Sequence, residues 1–103
     1  MARMIVVWKR PRDVEAFDRH YFGVHVPMAK KLPGLRKYEV SVGPIAMLGN
    51  AADAYLIATL YFDNLKSIRS AFATPEGQAC AEDRRKLAAD DGFQTFLFDS
   101  KEL

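Results

Sequence analysis

The order in which two hydrophobic periods alternate along this chain constrains its fold more than any other feature. Met4-Ile5-Val6-Val7-Trp8 is a continuous apolar run rich in β-branched and aromatic residues, stopped by Pro11. It reads as a strand buried on both faces. From Asp13 the period lengthens. Val14, Phe17, Tyr21, Val24, Met28 and Leu32 recur at steps of three and four, one stripe of a helix that runs to Leu32. Asp13 is placed to cap it, with Glu15 in the first turn where the helix dipole favours an acid. After Pro33-Gly34, LRKYEVSVG alternates, sending Tyr38, Val40 and Val42 one way and Lys37, Glu39 and Ser41 the other. Residues 43–53 (GPIAMLGNAAD) read as a loop, and Ala54–Phe62 as a long strand with apolar residues on both faces.

Asn64 can cap the next helix, whose stripe is Leu65, Ile68, Ala71 and Phe72. Thr74-Pro75 opens a further helical segment to about Ala89, because proline suits the first helical position. Asp91-Gly92 then turns into a last strand, FQTFLF. The order β-α-β-β-α-β predicts an α+β, ferredoxin-like domain with an antiparallel sheet, and 103 residues make it a single domain over 1–103. Two helices cover one face of such a sheet. The first, third and fourth strands carry apolar residues on both faces, so the uncovered face predicts a homodimer packed sheet on sheet.

Fifteen basic and 13 acidic residues are interleaved and give a net charge of +2, without the like-charge block expected of a nucleic-acid or anionic-membrane partner. Only five apolar residues separate Arg3 from Lys9, too few for a secretory core or a bilayer span. Cys80 is the single thiol, so no internal disulfide forms and a reducing, cytoplasmic setting is expected.

Both histidines fall in HYFGVHVP, residues 20–27. His25 lies about 55° from the centre of the helical stripe and His20 about 85° away, nearer solvent. Gly23 and Pro27 interrupt helical hydrogen bonding beside them, so the helix either kinks or divides between Gly23 and Pro27. Two readings of His25 follow: a hydrogen-bonded structural residue, or an acid/base suited to proton transfer near neutrality. A metal site is not expected. The two histidines are five apart, off a shared α-helical face, and no carboxylate or cysteine adjoins them in sequence.

RPRDVEAFDRHYFGVHVPMAKKLPGLRKYEVSVG resembles the N-terminal half of the EthD family of small dimeric α+β barrel proteins. The matching elements are Pro11, Tyr21-Phe22, His25-Val26-Pro27, Leu32-Pro33-Gly34-Leu35 and Tyr38-Glu39. LYFDNLKSIRSAFATPEGQA is similar to the second half. The family is named for a protein associated with bacterial breakdown of ethyl tert-butyl ether. Similar proteins include a methylmuconolactone isomerase and fungal polyketide-tailoring enzymes. The resemblance implies chemistry without metal or organic cofactor, in a pocket between sheet and helices, with the isomerase's histidine and tyrosine falling on His25 and Tyr38. The isomerase's cysteine positions have no match, since Cys80 sits in the second helical stretch.

The candidate catalytic residues are therefore His25 and Tyr38, with the Tyr38 hydroxyl expected to approach His25. The alternative for Tyr38 is an interior tyrosine satisfied by a backbone carbonyl. Trp8, Tyr21, Phe22, Met28 and Tyr55 are the candidate substrate walls. Tyr61, Phe96 and Phe98 are further aromatics for a pocket, the core or a dimer interface. Lys9 and Arg10 are candidates for binding a carboxylate, Cys80 is expected to be inert, and Arg84-Arg85-Lys86 reads as a solvated face. The leading expectation is a cofactor-independent isomerase or lyase acting on a small apolar or aromatic carbonyl or lactone. The alternative is a non-catalytic carrier of a hydrophobic ligand attached to a degradation pathway, and a third reading is an interaction dimer whose cavity its own side chains fill.

Overall fold

The computed structural model describes residues 1–49, 53–89 and 91–103. Strands β1 (Ala2–Lys9), β2 (Lys37–Val40), β3 (Ala54–Phe62) and β4 (Phe93–Asp99) form one antiparallel sheet in the order β2-β3-β1-β4. Between β1 and β2 run α1 (Val14–His20), a π-helical turn (Tyr21–His25) and α2 (Val26–Ala29). Between β3 and β4 run α3 (Leu65–Ala73) and α4 (Pro75–Leu87). This is the ferredoxin-like α+β arrangement expected from the sequence. The three expected caps are made: Asp13 accepts from the Ala16 amide, Asn64 from Ser67 and Thr74 from Gly77. Part of the expected 43–53 loop, residues 50–52, lies outside the described residues.

The helices cover one face of the sheet. Ala2, Met4, Val6 and Trp8 of β1 and Leu56, Ala58, Leu60 and Phe62 of β3 point toward them and are buried. The other face carries Arg3, Ile5 and Val7 opposite Tyr61, Thr59 and Ile57, with Phe96 and Phe98 alongside on β4. It is less uniformly dry than the sequence runs suggest. Near β2 the Arg3 guanidinium sits 4.4 Å from the centre of the Tyr61 ring, whose hydroxyl donates to Glu39 at 2.6 Å. The apolar part is concentrated in Ile5, Val7, Ile57, Phe96 and Phe98.

Two irregularities position the site. The β1–β3 register slips between Trp8 and Lys9, so Tyr55 falls in a bulge and its ring turns to α1, where its hydroxyl donates to Asp18 at 2.9 Å. The second is the π turn. The Val26 amide donates to the Tyr21 carbonyl five residues back. Pro27 has no amide to offer Gly23, so the wider turn omits a hydrogen bond that an α-helix here could not make. Val26 keeps helical dihedrals, φ −59° and ψ −47°, so the chain neither divides nor stops before the proline.

The extra residue in that turn also shifts the buried stripe. The sequence stripe continues from Tyr21 to Val24 and Met28, yet Val24 is 44% exposed and Met28 only half-buried. The buried row is Phe17, Tyr21, His25 and Ala29, at steps of four throughout. A histidine on the flank of an ideal helix is thereby brought to its centre. Val42 departs from expectation too, since β2 ends at Val40 and Val42 is fully solvent-facing. At the α3–α4 corner, a Cβ on Gly77 would collide with the Ala71 carbonyl oxygen and Phe72 Cα. Glycine lets α4 start hard against α3, which sets the helix that brings Asp83 to the site. No helix among the described residues is long and apolar enough to cross a membrane.

Candidate active site

Asp83 on α4, absent from the sequence candidates, is the organising group. It is buried, and its two carboxylate oxygens are shared between the histidines: Oδ2 lies 2.9 Å from His25 Nδ1 and Oδ1 lies 2.8 Å from His20 Nε2. On an α-helix, residues five apart diverge by about 140° and could not share a partner. A turn closed by a hydrogen bond across five residues stacks them, so the π turn makes this bridge possible. The expectation that the histidines lie apart, without a carboxylate, is overturned by the turn and by α4. The faint signal for Asp83 is its place in the row Gly77, Cys80, Asp83, three buried residues at steps of three. An acid in such a row needs a buried partner. The histidines aim at separate carboxylate oxygens, and among the described residues no group of His, Cys, Asp and Glu is placed to hold a metal ion.

An ionised carboxylate only accepts hydrogen bonds, so both histidine nitrogens facing Asp83 carry hydrogen. His25 is then the Nδ1–H tautomer, leaving Nε2 as its basic nitrogen. Burial pushes the His25 pKa down and outweighs the opposing hydrogen bond and charge of Asp83, so the ring is neutral near pH 7. For Asp83, burial raises the pKa, but the hydrogen bonds from His20 and His25 more than offset it and hold the carboxyl below its ordinary range. His20, with its side chain 37% exposed, is the outer support.

An aromatic cage surrounds His25. Tyr21 stacks on its ring at 5.3 Å, and Trp8 meets it edge-on at 6.0 Å. Trp8 also packs edge-on against Phe17 and Tyr21. The Tyr38 hydroxyl lies 2.6 Å from that of Tyr21. Tyr38 therefore partners Tyr21 instead of approaching His25 directly or bonding a backbone carbonyl. Burial raises both phenols, Tyr38 to about 12 and Tyr21 beyond the ordinary range. Both stay protonated. One hydroxyl hydrogen bridges the pair and the other remains to donate.

Trp8, Tyr21, His25, Tyr38, Cys80 and Arg84 line a chamber of about 10 Å³, room for about one water molecule. A larger cleft of about 660 Å³ is lined by Arg10, Asp18, Phe22, Val40, Tyr55 and Leu56 among others. The wall candidates thus divide: Trp8 and Tyr21 face the chamber, Phe22 and Tyr55 the cleft, and Met28 neither. The two spaces share rows of the sheet, since Val40 follows Tyr38 and Leu56 precedes Ala58 on the helix side of β2 and β3. Arg10 belongs to the cleft, its guanidinium 5.3 Å from the Tyr55 ring centre. Arg84 is not part of a solvated face. It turns inward, 5.8 Å from the Phe72 ring centre and 5.6 Å from that of Phe93. Cys80 is buried, and burial raises its thiol pKa against the opposing charge of Arg84.

A family model described as the EthD domain matches residues 9–100. The chain is 38% identical over 103 residues to an uncharacterized 11.0 kDa protein in the thcB-thcC intergenic region of Rhodococcus erythropolis, covering 99% of this chain and 96% of that one. An ethyl tert-butyl ether degradation (EthD) family protein from Bacillus halodurans superposes with a TM-score of 0.88 at 31% identity, over 98% of this chain and 99% of the other. Two more distant structures share the fold alone. One is a mutant of SnoaB, a cofactor-independent oxygenase from Streptomyces nogalater, with TM-score 0.69, 15% identity and 99% and 94% coverage. The other is a dimeric ferredoxin-like protein of unknown function from Thermobifida fusca, with TM-score 0.66, 14% identity and 94% and 88% coverage.

The buried histidine predicts the acid response of stability. Its folded pKa lies below its ordinary value of 6.5, so as pH falls through that value the unfolded chain takes up the proton first and stability drops. The depressed Asp83 carboxyl adds a second loss only at lower pH, as it protonates below its ordinary 3.8. In urea titrations between about pH 7 and pH 5, wild-type stability should fall and His25→Gln should flatten the slope. Parallel slopes would show that His25 titrates as it does in the unfolded chain.

Proposed function

This chain belongs to the EthD family, and on that premise we propose a cofactor-independent enzyme that moves a proton beside the carbonyl of an apolar or aromatic ketone or lactone. The observation carrying this reading is the His25 Nδ1 to Asp83 Oδ2 hydrogen bond at 2.9 Å. It fixes the tautomer in which Nε2 is the base, on a ring that lines the chamber beside the Tyr21–Tyr38 pair. A base and protonated phenols in one dry space are what enolisation needs: His25 takes the proton while a neutral O–H meets the developing oxyanion. In this reading the cleft holds the substrate body against Phe22 and Tyr55. The reacting end advances along the Val40–Tyr38 and Leu56–Ala58 rows, about 7 Å at two strand residues. The shared fold with a protein described as a cofactor-independent oxygenase is consistent with chemistry that needs no bound group.

A second reading, a carrier of a hydrophobic ligand, is favoured by the contrast in size between cleft and chamber. Proton exchange separates the two. With 1-tetralone in D₂O, wild type should accelerate deuteration beside the carbonyl, and His25→Gln should cost about 10²-fold or more. Asp83→Ala should lower the rate as well, because His25 Nδ1 then loses the acceptor that holds the tautomer with a bare Nε2. A carrier would be thermally stabilised by tetralone, equally in wild type and His25→Gln, without exchange in either.

We also propose that the protein is a homodimer joined across the open sheet face. Ile5, Val7, Ile57, Phe96 and Phe98 form a contiguous apolar patch there, with Phe96 49% and Phe98 38% exposed, and a protein of the same fold is described as dimeric. Sedimentation equilibrium should give twice the chain mass, and Phe96→Asp with Phe98→Asp should give the monomer. A monomeric wild type would refute this assembly.

A further inference from the structure

The Trp8 indole N–H is buried without a protein hydrogen-bond partner among the described residues, on a side chain only 1% exposed. Leaving such a donor unmatched is costly, and indole can only donate, so its natural complement is an acceptor. Trp8 is near enough to Tyr21 to lower its phenol pKa slightly, against the larger effect of burial, yet its N–H meets no hydrogen-bond geometry. Trp8, Tyr21 and Tyr38 line the same chamber. The residues that carry the indole N–H, the spare phenol hydrogen and a half-buried guanidinium, Arg84, which forms no ion pair among the described residues, thus line one chamber. His25, the base in the proton-transfer reading, lines the same chamber. A volume of about 10 Å³ holds about one water-sized group, so a carbonyl and its neighbouring carbon enter only as the chamber widens toward the cleft.

We infer that Trp8 is a further catalytic residue, its indole N–H donating to the carbonyl oxygen of the ligand and to the enolate oxygen that follows. This rests on the proton-transfer reading above and narrows the substrate class to compounds that present an acceptor oxygen at the end of an apolar body. In the step, the carbon beside the carbonyl gives its proton to His25 Nε2. The C–H electron pair becomes the enolate π bond, and the carbonyl π pair moves to oxygen. The imidazolium returns a proton to the same carbon or, where the enolate is conjugated, to its γ-carbon, so no oxidant or second reactant is consumed. Asp83 supports the imidazolium, and the indole N–H and phenol O–H face the oxygen where negative charge collects.

The chain has one tryptophan, so the ¹⁵N-labelled protein shows a single indole N–H signal. Titration with 1-tetralone should shift that signal and slow its exchange with water, whereas tetralin, the same skeleton without the oxygen, should leave it in place. Trp8→Phe keeps an aromatic ring and should weaken tetralone about three- to tenfold, the equivalent of one lost hydrogen bond, with tetralin affinity unchanged. An indole signal that tetralone does not move overturns the inference, whether the ketone binds elsewhere or not at all. Equal losses for tetralone and tetralin in Trp8→Phe also overturn it. The wild-type titration decides alone if that variant does not fold. A shifted indole without catalysed deuterium exchange would retain Trp8 as the oxygen donor and remove the proton-transfer reading instead.

Discussion

The structure around the site depends on one buried carboxylate accepting two histidine hydrogen bonds. Asp83 comes from α4 and the histidines from the helical unit between β1 and β2, so the bridge ties these two elements together. A hydrogen bond to a charged group contributes about 1.5–3 kcal/mol. His25, the buried member, belongs toward the upper end of that range and His20 toward the lower. The same bond fixes which nitrogen of His25 is basic. Architecture and chemistry are thus set by one contact, and the rest of the cage keeps it dry: Trp8 and Tyr21 close over the imidazole at 6.0 and 5.3 Å.

The π turn is what lets that contact form. Pro27 removes an amide from the helix, and the backbone widens by one residue instead of breaking. The widening moves the buried stripe from Val24 to His25 and brings residues 20 and 25 onto one face. A dipeptide feature two residues beyond the histidine thereby determines its burial, its partner and the direction of its pKa shift.

Strand and helix order, the three caps and the helix-facing side of β2 were legible in the sequence because each depends on local period or local hydrogen bonding. The emphasis on His25 and Tyr38 also came from the sequence, through the stripe and the family resemblance. Asp83 was legible only faintly, through its spacing from Gly77 and Cys80. It sits in a charged stretch, EDRRK, where only the tertiary approach of α4 shows that one acid turns inward. The Tyr38–Tyr21 pairing and the inward turn of Arg84 were missed for the same reason: which partner a side chain meets across the helix–sheet interface is not periodic. The turn of Tyr55 toward α1 depends on a bulge that the strand pattern does not signal. Val24 and Met28 failed as core residues because an ideal period was extended through a turn that is not α-helical.

The most direct test of this account is the long-range ¹H–¹⁵N spectrum of the two imidazoles, followed as pH is lowered. His25 should be neutral at pH 7, with hydrogen on Nδ1 and a bare Nε2, and should titrate below its ordinary 6.5. Loss of the Nδ1–H signature in Asp83→Ala should follow. A His25 that carries its hydrogen on Nε2, or that titrates at the ordinary value, would contradict the Asp83 bridge and with it the assignment of His25 as the base.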